Sequence, residues 1–111
     1  MKQYTTPEQT AQLIERFEKP KSIEKITYIE QYGCGYEAAY SIGELIEMLP
    51  EAICKSNDDS YHYFLSIETD SLTWKVFYES EDEVTLCSTF GVELIDALHS
   101  MLALLKKHGT L

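Results

Sequence analysis

Residues 61–78 read Y-H-Y-F-L-S-I-E-T-D-S-L-T-W-K-V-F-Y, and this stretch decides the fold. Large apolar side chains recur at every second position on both sides of a polar centre, Asp70-Ser71. Successive side chains of a strand point to opposite faces, so this alternation predicts two strands with one common buried face. The polar centre predicts the turn that joins them into an antiparallel hairpin.

An even-length turn at this centre fixes which residues of the hairpin face each other. A five-residue acidic loop, residues 79–83, then predicts a third strand that returns along the second. The sequence therefore predicts a three-stranded antiparallel meander over residues 61–89. The expected inward pairs are Ile67 with Trp74, Leu65 with Val76, Tyr63 with Tyr78, Val84 with Tyr78, and Leu86 with Val76.

Helices are predicted on both sides of this meander. Residues 6–9 (T-P-E-Q) and 41–44 (S-I-G-E) each place a hydroxyl three residues before a side chain that can bond back, the capping box of a helix start. The first helix is expected to end at Lys19-Pro20, because the residue before proline avoids the α region. Pro50 is expected to kink or end the second. Apolar residues at helical spacing predict a third helix over residues 91–108.

Two further segments complete the outline. Residues 23–31 predict a short strand, and residues 55–60 (K-S-N-D-D-S) predict a polar loop. Runs of strands followed by a helix are typical of the α+β class. We therefore expect an α+β fold in the order α-(β)-α-β-β-β-α. In it, an antiparallel meander of three strands, with or without a fourth short strand, packs against two or three helices.

Size and composition restrict the class of protein. With 111 residues, 44% of them hydrophobic and 25% charged, the chain predicts one globular domain over residues 1–111. The N-terminus has no apolar run that could form a signal peptide, and no stretch approaches the roughly 18 apolar residues of a membrane span. Three cysteines without close pairing suit a reducing compartment. We therefore expect a cytoplasmic protein with no membrane association.

The charge of the chain bears on its partners. The formal net charge is −10, and residues 41–90 hold eleven acidic and two basic residues. Nucleic-acid affinity rests on Lys and Arg displacing the counterions of phosphates, so a surface of this sign disfavours direct nucleic-acid binding.

Cys34, between Gly33 and Gly35, is the candidate nucleophile because it lies shortly before a predicted helix start. His62 or His99 would then act as its base. The alternative is that the two glycines supply positive φ angles in a turn and that Cys34 only fills space there. We predict the turn.

Other catalytic patterns are missing from the sequence. The cysteines and histidines show no metal-ligand spacing, and the acidic residues at 57–59 and 79–83 lack the order of a calcium loop. No serine elbow or phosphate-binding loop is present. We therefore expect a protein that is not an enzyme and that has no cofactor or metal.

The outward face of the predicted meander is the candidate binding surface. The predicted register sets Phe64 directly across from Phe77, with His62, Lys75 and Cys87 beside them. Two phenylalanines left in water forfeit about 1.5–3 kcal/mol of burial each, so both rings need cover. Either the first helix folds over them, or they form a surface for a protein partner or a homodimer.

Three stretches carry a resemblance to known proteins: residues 40–50 (Y-S-I-G-E-L-I-E-M-L-P), 6–14 (T-P-E-Q-T-A-Q-L-I) and 93–98 (E-L-I-D-A-L). They resemble small uncharacterised proteins encoded by bacteriophages and integrated mobile elements of gut bacteria. The resemblance implies a phage or mobile-element accessory protein. It implies no activity, cofactor or active-site residue.

Three functions follow, in this order of preference. The first is a non-enzymatic interaction protein that binds another protein or itself through Phe64, Phe77 and the adjoining sheet face. The second is an acidic decoy or inhibitor that occupies the cleft of a nucleic-acid-binding protein. The third is a small cysteine-dependent enzyme centred on Cys34.

Overall fold

The computed structural model describes residues 2–17, 23–29, 33–54 and 62–110; for residues 23–29 and 33–38 it describes the backbone alone. The first helix ends at Ile14, so its expected end at Lys19-Pro20 is wrong. The expected polar loop at 55–60 lies outside the described residues. The predicted α+β class is confirmed. In chain order the elements are α1 (Pro7–Ile14), β1 (Ile23–Ile29), β2 (Gly33–Ala38), α2 (Ile42–Met48), β3 (Ala52–Cys54), β4 (His62–Thr69), β5 (Trp74–Glu79), β6 (Thr85–Gly91) and α3 (Leu94–Lys107).

The described strands form two antiparallel sheets, a β1–β2 hairpin and a four-stranded sheet in the order β3-β4-β5-β6. The predicted meander is β4-β5-β6, and the predicted short strand is β1. Strand β3 was not predicted, because it has only three residues and one buried side chain, Ile53. Gly33-Cys34-Gly35 lies in β2 and pairs with β1, so its expected place in a turn is wrong. Pairing with a neighbouring strand here outweighs the low strand preference of glycine.

The two predicted helix starts are confirmed in atomic detail. The Thr6 hydroxyl accepts a hydrogen bond from the Gln9 N–H, and Gln9 Oε1 accepts one from the Thr6 N–H. Ser41 and Glu44 form the same reciprocal pair at the start of α2. Because a capping box needs only residues three apart in the chain, local sequence is enough to predict it.

The β4–β5 register differs from the prediction by two residues. Val76 lies opposite Ile67 rather than Leu65, because the loop spans residues 70–73. The Asp70 carboxylate accepts hydrogen bonds from the Leu72 and Thr73 N–H groups, at 3.0 and 2.8 Å, and stabilises this longer loop. A shift of two residues leaves every side chain on its predicted face.

The β5–β6 register differs by an odd number of residues. Tyr78 lies opposite Cys87 rather than Val84, and Val76 lies opposite Thr89 rather than Leu86. Val84 belongs to the turn, where its carbonyl accepts a hydrogen bond from the Ser80 N–H at 2.9 Å. A β-bulge opposite Tyr78 and Glu79 then adds one residue to β6. An odd shift exchanges the two faces of the strand, so Cys87 faces inward.

The core lies between the four-stranded sheet and the helices. Helix α3 packs across β5 and β6, and α2 packs against α3. A broad apolar stripe of α3 is buried here, as its helical spacing predicts. The main cluster comprises Leu13, Tyr40, Leu45, Leu49, Ile53, Val76, Tyr78, Leu94, Ile95, Ala97, Leu98, Met101, Leu102 and Leu105.

Candidate protein-interaction surface

The face of the four-stranded sheet that points away from α3 is called the outer sheet face. Strand alternation and the observed register place on it His62, Phe64, Ser66, Glu68, Lys75, Phe77, Glu79, Ser88 and Phe90.

The two predicted aromatic residues lie on this face but not opposite each other. Phe64 pairs with Glu79 on one side and with Ala52 on the other, whereas Phe77 pairs with Ser66. The expected direct Phe64–Phe77 pair is therefore wrong. The two-residue shift set by the 70–73 loop moves it to a diagonal position, still on one face.

The exposure of the aromatic rings distinguishes their roles. Phe77 is only 3% exposed, whereas Phe64 is 42% and Phe90 is 60% exposed. Phe77 is therefore part of the structure, and its ring is not available to a partner. Phe64 and Phe90, on the strands that flank β5, are the accessible aromatic residues of the outer sheet face.

Phe90 was missed by the sequence reasoning. The predicted β6 register assigned even-numbered residues to the inner face, and the odd shift caused by the turn and the bulge reverses this assignment. The sequence offered one signal for Phe90. This residue lies near the end of β6, and the face on which it lies depends on how the acidic loop at 79–83 turns. The length of this loop alone does not determine the turn type.

Lys75 lies at the centre of the outer sheet face. Its Nζ is 4.4 Å from the centroid of the Phe77 ring, a cation–π distance, and the residue pairs with Glu68 on one side and Phe90 on the other. A shallow depression of about 140 Å³ lies beside it. The depression is lined by Glu68, Thr69, Asp70, Thr73, Lys75 and Phe90.

The surroundings of Lys75 are acidic. Asp70 lines the same depression, and its backbone hydrogen bonds from Thr73 and Leu72 lower the pKa of its carboxyl. Glu79 lies opposite Phe64, and Glu68 lies opposite Lys75, the residue that pairs with Phe90 on its other side. The surface is therefore apolar at two rings and negative around them.

His62 extends the surface along β4. Its ring centroid is 6.2 Å from that of Phe64, on the same face, and the residue is exposed. Cys54 lies opposite it on β3. His62 therefore has the place that the sequence analysis predicted for it.

Cys87 does not belong to this surface. Its Sγ lies 3.8 Å from Met101 Sδ of α3, on the inner side of the sheet. Its expected position beside Phe64 is wrong, for the reason that moves Phe90: the bulge and the odd register of β6.

Helix α1 lies in the helix layer and does not cover the phenylalanines. Gln9 Nε2 donates to Asp96 Oδ1 at 2.7 Å, and Lys106 Nζ of α3 is 5.2 Å from the centroid of the Phe17 ring. Leu13 joins the inner core. The alternative in which the first helix folds over Phe64 and Phe77 is therefore wrong.

The described residues offer little for catalysis. Among them, no group of three or more His, Cys, Asp or Glu side chains is placed to hold a metal ion. His99 is half-buried in α3, and its burial lowers the pKa of the imidazole. The structure describes only the backbone of Cys34, so the cysteine-dependent enzyme stays a hypothesis. None of the described helices is long and apolar enough to cross a membrane.

Comparison with known proteins adds no assignment. No protein-family model, curated protein sequence or solved structure matches the chain. The function therefore has to be argued from the surface itself.

Proposed function

We propose that the chain is a non-enzymatic accessory protein, of the kind carried by phages and mobile elements, that binds another protein through its outer sheet face. The observation that carries this proposal is the exposure of Phe64 and Phe90 on one face of a sheet whose other face is covered by helices. Exposed aromatic residues that share a face are typical of protein-binding surfaces.

The chemistry of the surface indicates the kind of partner. The two rings lie on strands separated by β5, so a partner that contacts both must pass over Phe77 and the Lys75 amine that lies on its ring. Glu68, Glu79 and Asp70 make the surroundings negative. We therefore expect a partner with an apolar contact surface and basic residues around it.

A substitution experiment tests the proposal. Wild type and a Phe64→Asp/Phe90→Asp variant are used as bait in a bacterial lysate, and bound proteins are quantified by mass spectrometry. We expect the partner to be depleted at least about tenfold with the variant, since buried aromatic anchors of an interface each contribute roughly 2 kcal/mol or more.

Val84→Asp is the matched control. Val84 is 53% exposed and lies in the β5–β6 turn, outside the strands that carry the two rings, so the same chemical change there is expected to leave binding intact. Circular dichroism confirms that each variant is folded. Equal recovery of every bound protein by wild type and by the double variant would exclude the outer sheet face as the binding site.

The acidic-decoy alternative predicts a different result in the same experiment. Its binding depends on the net charge of −10 rather than on the two rings. A decoy complex would survive the aromatic substitutions and would dissociate as salt is raised, because exposed charges are screened. Binding through the rings keeps most of its affinity in salt.

A further inference from the structure

Strand β6 is an edge strand without the usual protection. It is the last strand of the sheet order and, within the described part of the chain, it is paired on one side only, with β5. Edge strands usually carry charges or proline that prevent pairing with another chain. Residues 84–92 (V-T-L-C-S-T-F-G-V) contain neither, although the whole protein has a net charge of −10.

The side of α3 that lies beyond this edge has an ordered charge pattern. Thr89 Oγ1 of β6 donates to the Ala97 carbonyl at 2.8 Å, which shows the side of α3 that faces the strand. Helical spacing adds Ser100, Leu104 and Lys107 to this side, and Glu93 is the N-cap residue at its start. Its start is therefore acidic, its end is basic, and its middle residue, Ser100, is exposed.

An apolar groove joins β6 to the end of α3. Its volume is about 240 Å³, and it opens beside the same edge. The apolar surface thus extends from the uncharged edge strand β6 to the end of α3. It is lined by Leu86, Cys87, Leu104, Leu105, His108 and Thr110.

We propose that a second copy of this chain pairs with β6 about a two-fold axis, so that two four-stranded sheets become one continuous sheet. Antiparallel pairing about such an axis also sets the two α3 helices antiparallel. The acidic start of each helix then lies beside the basic end of the other, Glu93 against Lys107 of the second copy. This charge complementarity favours a second copy over an unrelated strand.

The spacing of the elements permits this arrangement. Neighbouring strands lie about 4.8 Å apart, and α3 contacts both β5 and β6, so its axis lies above the boundary between them. The two α3 axes would then be about 10 Å apart, the distance at which helices pack. Gln9 of α1 bonds to Asp96 at the start of α3, whereas Ser100 and Lys107 farther along this side are exposed, which leaves the second copy room to approach there.

The carboxylate of Glu93 can bind the Lys2 backbone of its own chain and Lys107 of the second copy at the same time. Its Oε2 accepts a hydrogen bond from the Lys2 backbone N–H at 3.0 Å. A carboxylate has about four acceptor sites, so a lysine of the second copy can add to this bond. The inferred dimer forms along the backbone edge of β6, whereas the outer sheet face consists of side chains that point away from α3, and the proposal goes beyond the proposed function.

Sedimentation velocity over a concentration series tests the dimer. We expect wild type to shift from 12.8 kDa towards twice that mass as concentration rises. Ser100→Arg places two bulky cations at the axis, and Lys107→Glu sets two carboxylates against each other. Each is expected to weaken the dimer at least about tenfold.

Two controls accompany these variants. Arg16→Glu makes the same charge change as Lys107→Glu at an exposed position just after α1, and Phe64→Asp alters only the outer sheet face; both are expected to dimerise as wild type does. Hydrogen exchange of the peptide covering residues 85–91 is expected to slow as the protein concentration rises. A protein that stays monomeric up to about 1 mM, or a dimer that Ser100→Arg leaves unchanged, would overturn the proposal.

Discussion

At the scale of single residues, Thr5 joins the N-terminal segment to the core. Its hydroxyl lies 2.6 Å from that of Thr10 and accepts a hydrogen bond from the Tyr40 N–H at 3.0 Å. Thr5 is buried, and the Thr10 hydroxyl in turn donates to the Thr6 carbonyl at 2.8 Å. This network attaches the start of α1 to the chain that enters α2.

Replacement of Thr5 by valine keeps the shape of the side chain and removes its hydroxyl. The buried Tyr40 N–H and the Thr10 hydroxyl each lose a partner, so we expect the free energy of unfolding to fall by about 1–3 kcal/mol. Urea denaturation measures the change. Thr85→Val, at an exposed position, is the control and should change stability by less than about 0.5 kcal/mol. A Thr5→Val variant as stable as this control would show that the network contributes little.

His99 predicts how stability depends on pH. Burial is the larger influence and lowers the pKa of its imidazole, while the charge of Asp96 acts in the opposite direction. The folded protein therefore prefers neutral His99, and the unfolded chain, with a pKa of about 6.5, gains the proton first. This contribution is complete above about pH 6.5 and is lost as the pH falls below it.

Urea midpoints at about pH 7.5 and about pH 5.5 test this sign. We expect wild type to lose more stability between the two than His99→Gln does, since the variant has no imidazole to protonate. His62→Gln removes an exposed histidine and should behave as wild type. If wild type and His99→Gln lose the same amount, His99 is not the responsible group.

At the scale of elements, sequence predicted what depends on near neighbours and failed where a turn sets a distant register. The boxes at Thr6 and Ser41 and the buried stripe of α3 depend on residues three or four apart. The register of β6 depends on a turn in which Glu83 adopts a φ of 63° and on a bulge beyond it. Positive φ is uncommon in residues other than glycine, so the sequence of this turn did not predict the backbone conformation of Glu83. Because the β6 register was predicted incorrectly, Cys87 was assigned to the outer sheet face and Phe90 was not.

The junction between β6 and α3 gives a prediction for glycine. A Cβ at Gly91 would lie 2.9 Å from both the Ala97 nitrogen and the Glu93 oxygen, which are backbone atoms and cannot move aside cheaply. Gly91→Ala is therefore expected to lower the free energy of unfolding by about 1–3 kcal/mol.

Gly43→Ala in α2 is the matched substitution with the opposite expected sign. A Cβ there meets only Ser41 Oγ, at 3.9 Å, and alanine in a helix is favoured over glycine by about 0.5–1 kcal/mol. Thermal denaturation of both variants checks the pair. A Gly91→Ala protein as stable as wild type would show that β6 and the start of α3 can move apart to accept a Cβ without loss of stability.

At the scale of the whole molecule, the two faces of the sheet differ in burial. The inner face is buried under helices and accounts for the main core, whereas the outer face exposes Phe64 and Phe90. Strand parity in β4 and β5 predicted this division, because a two-residue slip does not change it. Phe64 and Phe77 were therefore placed on the correct face, although Phe90, which is more exposed than either, was not identified.

The net charge of −10 predicts a response of stability to salt. Like charges repel, and the chain has 19 acidic residues against nine basic ones, so screening removes more repulsion than attraction. The Debye length falls from about 30 Å at 0.01 M to about 3 Å at 1 M. We therefore expect the urea midpoint to rise with sodium chloride over this range. Glu81→Gln/Glu83→Gln, which removes two charges from the exposed β5–β6 turn, should be more stable than wild type at low salt and should gain less from added salt. A midpoint that falls with salt would show that attractive pairs, rather than the excess of negative charge, dominate the electrostatics of this protein.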